Sequence, residues 1–106
     1  MKVKQCLPTD DAFQSIKERL YSDVPWSTVP DPVAENLECC FVVLEQGQTI
    51  CQAALFTGDG IRVENKKYAT VGSFESDDNP KAVQVLMEAI SAKAKQLGFD
   101  GLIGPM

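Results

Sequence analysis

Two apolar runs, CCFVVLE at 39–45 and TICQAALF at 49–56, flank the tripeptide Gln46-Gly47-Gln48. Runs of this length, rich in β-branched, aromatic and small apolar residues, are strand-type, and a glycine between them supplies the backbone angle a tight reversal needs. The stretch therefore reads as an antiparallel hairpin, and it commits the chain to a sheet. Thr57-Gly58-Asp59-Gly60 reads as a second turn, and IRVENKKYATVGSF at 61–74 as a further strand, best defined over 68–74. Within it, the polar Glu64-Asn65-Lys66-Lys67 is a bulge, a turn or an exposed edge.

A helix follows. Asn79 is a natural N-cap and Pro80 a natural first helical residue, since proline lacks an N–H that would be unsatisfied there anyway. Val83, Leu86, Ile90, Ala94 and Leu97 recur at helical spacing, with Ala82 and Ala89 beside them, while Lys81, Gln84, Glu88, Ser91 and Lys95 take the other side. Gly98 suits the position just past the helix end, and FDGLIGPM leads into a last short strand.

At the other end, KVKQCL at 2–7 alternates as a short strand does, and Pro8 stops it. Thr9 is read as the N-cap of a helix running to about residue 22, with Asp10 and Asp11 favourably placed against its dipole and Phe13, Ile16 and Leu20 on one face. VPWSTVPDP at 24–32 holds three prolines and reads as a loop, ending in a short helix capped by Asp31 and running through Leu37. Trp26 in this loop is read first as a plug at the domain edge and second as a ligand-contacting aromatic. The order is β-α-(α)-β-β-β-α-β in one domain spanning 1–106. The class is α/β (α+β), with a mixed, mostly antiparallel sheet. A right-handed crossover lays the last strand parallel to the third of the three consecutive strands.

Charge removes several functions. With 10 Lys/Arg against 15 Asp/Glu the net charge is −5, which argues against nucleic acid or an anionic membrane as partner. The chain contains no histidine, so Ser-His and Cys-His nucleophile pairs and histidine metal ligands are excluded. At 44% apolar and 24% charged the composition is that of a folded chain. The N-terminus MKVKQCLPTDD lacks the apolar core of a signal peptide, and the reading is cytoplasmic. Cys6, Cys39, Cys40 and Cys51 are then reduced thiols; their spacing does not suit zinc, and they read as small buried apolar side chains.

The element order, together with Gly72-Ser73-Phe74-Glu75, the following Asp77-Asp78, Ala82 and Leu86, and Gly104-Pro105-Met106, resembles the N-terminal two thirds of the Gcn5-related N-acyltransferase superfamily. More narrowly, it is similar to a bacterial acyltransferase-like subfamily of unknown substrate. The resemblance implies that acyl-CoA pantetheine would lie along the fourth strand at Val71, Gly72, Ser73 and Phe74. It also implies that amides at the start of the central helix, near Asn79 and Lys81, would receive the pyrophosphate. The chain departs from the superfamily pattern there: Asn79 and Lys81 stand where glycines are expected, Pro80 removes a donor, and Asp77 and Asp78 oppose a diphosphate. Like charges at ~4 Å repel by about 1 kcal/mol in water and more when partly buried. These departures argue against coenzyme A binding in the superfamily's manner. The superfamily fold continues for two further strands that complete the acceptor side. The sequence stops at the fifth, so 101–106 is expected to form an exposed edge covered by a second copy of the chain.

The resemblance makes Glu75 the candidate general base, because some acyltransferases of this fold keep a carboxylate at the end of the fourth strand that deprotonates the amine; its plainer reading is a solvated charge beside a helix start. Tyr68 and Tyr21 are acids in principle, Tyr68 being read rather as half-buried packing. The cysteines lack a base partner and give no support to covalent acyl transfer. Glu75, Asp77 and Asp78 offer carboxylates to a hard cation, a pattern that a capped, solvated turn explains equally well, and no metal is assigned. The expectation is an acyltransferase-like protein of unknown substrate that acts, as this chain, as a binding and dimerisation module without catalysis. The alternative is an acyl-CoA-dependent N-acyltransferase whose acceptor half comes from further residues or a partner subunit.

Overall fold

The structure, a computed structural model, describes residues 1–20 and 36–104. Its elements are β1 (Lys2–Cys6), α1 (Asp11–Leu20), β2 (Leu37–Glu45), β3 (Gln48–Val63), β4 (Lys66–Ser76), α2 (Pro80–Gln96) and β5 (Gly101–Ile103). The strands form one five-stranded sheet in sequence order. β1 to β4 pair antiparallel, and β5 joins β4 in parallel, the direction expected of the α2 crossover. The mixed sheet and element order are those anticipated. Trp26, Tyr21 and the short helix begun at Asp31 lie outside the described residues, but Leu37 opens β2 rather than closing a helix.

The β2–β3 reversal is tighter than the tripeptide reading. Glu45 pairs with Gln48, leaving Gln46 (φ 52°) and Gly47 (φ 79°) as a two-residue turn. Two left-handed residues give the twist that matches the flanking strands. The second proposed turn is not one. Thr57-Gly58-Asp59-Gly60 lies inside β3: Phe56 pairs with Thr70 and Ile61 with Tyr68, so β3 bulges where β4 runs straight. The reversal comes later, at Glu64-Asn65 between the paired Val63 and Lys66, with Glu64 at φ 58°. The glycine-rich stretch signals a backbone irregularity, and its local chemistry does not say whether the chain turns or swells.

The two faces of the sheet carry separate cores. α1 covers Cys6, Cys40, Val42 and Ala54 with Phe13. Its N-cap is Asp10 rather than Thr9: the Asp10 carbonyl accepts from Phe13 N at 2.9 Å and Gln14 N at 3.1 Å, and its carboxylate accepts from Leu7 N at 3.0 Å. α2 covers the other face, burying Ala82, Leu86, Ile90 and Ala94 against Val43, Leu55 and Val71. The buried stripe has strict four-residue spacing, which places Val83 and Ala89 at its margin and turns Leu97 outward. Gly98 closes the helix at φ 95°, as anticipated.

β5 is short and is pinned at its start. Asp100 N donates to the Lys67 carbonyl at 2.7 Å, the Asp100 carboxylate accepts from Lys67 N at 2.8 Å, and the Lys67 ammonium lies 4.4 Å from the Phe99 ring centroid. This clasp fixes where β4 and β5 begin to run side by side. Asp100→Ala is expected to cost about 1–2 kcal/mol, by removing a charged acceptor from a backbone donor. Native-state hydrogen exchange would show the loss as faster exchange at 101–103.

Candidate functional site

The site is built by a mismatch of strand lengths. β5 pairs only with Tyr68, Ala69 and Thr70, while β4 continues to Ser76. Among the described residues, no strand pairs with β4 on its β5 side over 71–74, a stretch where backbone groups can meet a ligand. Val71 and Gly72 are buried, and Ser73, Phe74 and Glu75 are half-buried, so this stretch is partly desolvated.

A kink in β4 marks the same place. Gln52 pairs with Glu75 and Ala54 with Gly72, so β4 inserts one extra residue against β3. Ser73 takes it up at φ 52°, a left-handed angle that costs an L-residue about 1–2 kcal/mol. The bulge turns the backbone of this stretch out of regular register, and the surrounding pairing holds the strain in place.

The turn after β4 is tied down by its own hydrogen bonds. Asp77 N donates to the Ile50 carbonyl at 2.9 Å, Asn79 N to the Asp77 carbonyl at 2.7 Å, and Ser76 Oγ to the same carbonyl at 2.7 Å. Asn79 caps α2 as anticipated: its Oδ1 accepts from Ala82 N at 3.1 Å and its carbonyl from Val83 N at 3.2 Å. Pro80 offers no N–H, so of the amides from Pro80 to Val83 only that of Lys81 is left to meet an incoming anion. The Lys81 side chain is exposed, Asp77 is half-buried and Asp78 exposed.

Glu75 and Gln52 form the polar part of the α1 side. They sit directly opposite each other on β4 and β3, and so project to one face. Gln52 is fully buried, and neither its Oε1 nor its Nε2 has a hydrogen-bond partner. The sequence reading missed it. The available signal was one glutamine in the otherwise apolar ICQAALF at 50–56. Tyr68 is half-buried as expected and packs its ring on Gly101, where an added Cβ would lie 3.1 Å from Cε1. The cysteines are buried thiols. Burial pushes Cys6 up to about 11, with Asp10 adding to it, and raises Cys39 and Cys51, the latter offset in part by a hydrogen bond with Ser76. Protonated at neutral pH, these three are poor nucleophiles. Among the described residues no group of His, Cys, Asp and Glu is arranged to hold a metal ion. No described helix is long and apolar enough to cross a membrane.

No family model matches the chain, and no curated protein does. Solved structures do match. An aminoglycoside acetyltransferase from an uncultured soil metagenomic sample superposes with a TM-score of 0.69 at 12% identity, covering 96% of this chain and 76% of that one. A ribosomal-protein-alanine N-acetyltransferase from Brucella melitensis biovar Abortus 2308 gives 0.66 at 10% identity, over 96% and 76%. The aminoglycoside N-acetyltransferase AAC(6')-Iy, solved in complex with CoA, gives 0.66 at 12% identity, over 99% and 78%. The chain thus has the acyl-CoA N-acyltransferase fold of the Gcn5-related type. At these identities the likeness establishes the fold and not the activity.

Proposed function

We propose that this chain is a module of the acyltransferase fold that recognises acyl-pantetheine along β4 and pairs with a second copy through β5, without carrying out acyl transfer by itself. The observation that carries the reading is the stretch of β4 at 71–74, bulged at Ser73, beside a β5 that among the described residues pairs only as far as Thr70. Val71, Gly72, Ser73 and Phe74 would hold the pantetheine through backbone groups. Asn79 spends its side chain on Ala82 N, and Asp77 and Asp78 repel phosphate, which leaves Lys81 as the one favourable contact at the helix start. The CoA complex of one solved neighbour supports the ligand class.

Dimerisation is supported by the position of β5 at the end of the sheet order. Its outer side has no strand partner among the described residues, and its three residues are only half-buried. Covering such an edge with the same strand of a second copy satisfies both at once. Light scattering at high protein concentration should give twice the chain mass, and a monomer mass at all concentrations would contradict this part.

The second reading, an acyl-CoA-dependent N-acyltransferase completed by further residues or a partner subunit, takes the half-buried Glu75 at the end of the same strand as its general base. A thiol-release assay with acetyl-CoA and a panel of amines separates the two. The module reading expects no release above the uncatalysed rate. Turnover that Glu75→Gln abolishes would establish the enzyme.

A further inference from the structure

Cys6 and Cys40 are direct register partners on the antiparallel strands β1 and β2, and both belong to the core under α1. Directly opposed residues of an antiparallel pair have Cα atoms about 4.5–5.5 Å apart, inside the roughly 4.4–6.8 Å a disulfide spans. They also share a face, so the two Cβ atoms project to the same side. Cys40 is fully buried, whereas Cys6 retains 8% exposure and lines a cavity of about 450 Å³ with Gln5, Leu7, Asp10, Glu38 and Cys39. Cys6 is thus the member of the pair nearer to solvent.

We infer that Cys6 and Cys40 form a reversible cross-strand disulfide under oxidising conditions, a redox staple at the β1 edge of the sheet with Cys6 as the entry thiol and Cys40 as the resolving one. Against a small disulfide such as oxidised glutathione the steps balance. The Cys6 thiolate attacks one sulfur of the small disulfide, forming a mixed disulfide and releasing one small thiolate. The Cys40 thiolate then attacks Cys6 Sγ and releases the second. The two protein thiols lose two electrons, the small disulfide gains them, and the two protons pass to the released thiolates. Burial holds Cys6 protonated at neutral pH, so the exchange is slow and the pair stays reduced wherever small thiols prevail. Cys39 follows Cys40 directly but belongs to the core on the α2 side, and Cys51 belongs to that core too. Neither is opposed to another cysteine in the strand register.

The staple closes the chain between residues 6 and 40 around α1, and a loop of that length is expected to raise the melting temperature by on the order of 10 °C. The test uses the full chain exposed to oxidised glutathione and then alkylated. Thiol titration under denaturing conditions should fall from four to two, and peptide mapping without reductant should recover a Cys6–Cys40 linkage that dithiothreitol removes. Cys6→Ser and Cys40→Ser should each keep the other three thiols unbridged, and Cys39→Ser and Cys51→Ser should leave the linkage intact. Four thiols persisting after oxidation, a linkage through Cys39 or Cys51, or a bond only between chains would overturn the assignment. Because the mapping needs only the unsubstituted chain, a serine variant that fails to fold does not weaken the result.

Discussion

Gly60→Ala is expected to destabilise the chain by about 2–5 kcal/mol, among the largest losses from adding a single methyl group. Gly60 sits in the β3 bulge at φ 74°, an angle that costs an L-residue about 1–2 kcal/mol. The space is also taken: a Cβ there would lie 2.9 Å from Phe99 Cε1, 3.0 Å from Lys67 Cγ and 3.1 Å from the Tyr68 carbonyl oxygen. The side chains have some freedom to yield, but the carbonyl belongs to the β4 backbone and does not, so an overpacking cost of about 1–3 kcal/mol adds to the angle. Gly98→Ala is the control. Gly98 has φ 95° and nothing within 4 Å of an added Cβ, so it reports the angle alone. Urea denaturation of both variants should give a clearly larger loss at Gly60. Equal losses would show that the close approach to β4 and Phe99 is not as drawn.

Gln52→Met should act in the opposite direction and stabilise the chain by about 1–3 kcal/mol. A buried amide without partners has given up its hydration and received nothing in return, a deficit of that size in protein mutational data. Methionine keeps the length and volume while removing both polar atoms. For a domain of this size each kcal/mol moves the melting temperature by roughly 4–8 °C, so calorimetry resolves the gain readily. A fall in melting temperature would mean that the amide is held by a buried water or a ligand and is satisfied in solution. A polar group kept in a core at such a cost, directly across from Glu75, is where strained or functional chemistry is expected to sit.

The parts of the fold that were legible in the sequence are those with strong local signals. Asn79-Pro80 and Gly98 bound α2 where cap chemistry placed them, because a cap is a contact between near neighbours. The β2–β3 hairpin and the parallel β5 followed from apolar runs and crossover handedness. What failed depended on distant partners. Thr57-Gly58-Asp59-Gly60 has turn composition, but β4 pairs on both sides of it and holds it as a bulge. Leu97 continues the helical period yet faces solvent, because the buried stripe of Ala82, Leu86, Ile90 and Ala94 advances in steps of four and passes it by. Thr9 and Asp10 are both good N-caps, and the choice of Asp10 rests on its carboxylate reaching Leu7 N. The candidate residues Val71, Gly72, Ser73 and Phe74 came from the resemblance. The left-handed angle at Ser73 is set by the pairing of neighbouring strands, which no local pattern encodes.

The central claim is that the chain offers a pantetheine edge without a diphosphate site, and titration calorimetry with two ligands tests it most directly. Coenzyme A and pantetheine, run in parallel against the reduced chain at moderate salt, should both bind and with affinities equal to within a few-fold. Coenzyme A binding tenfold or more tighter, equivalent to about 1.4 kcal/mol from its nucleotide and phosphates, would contradict the account, as would failure of both to bind.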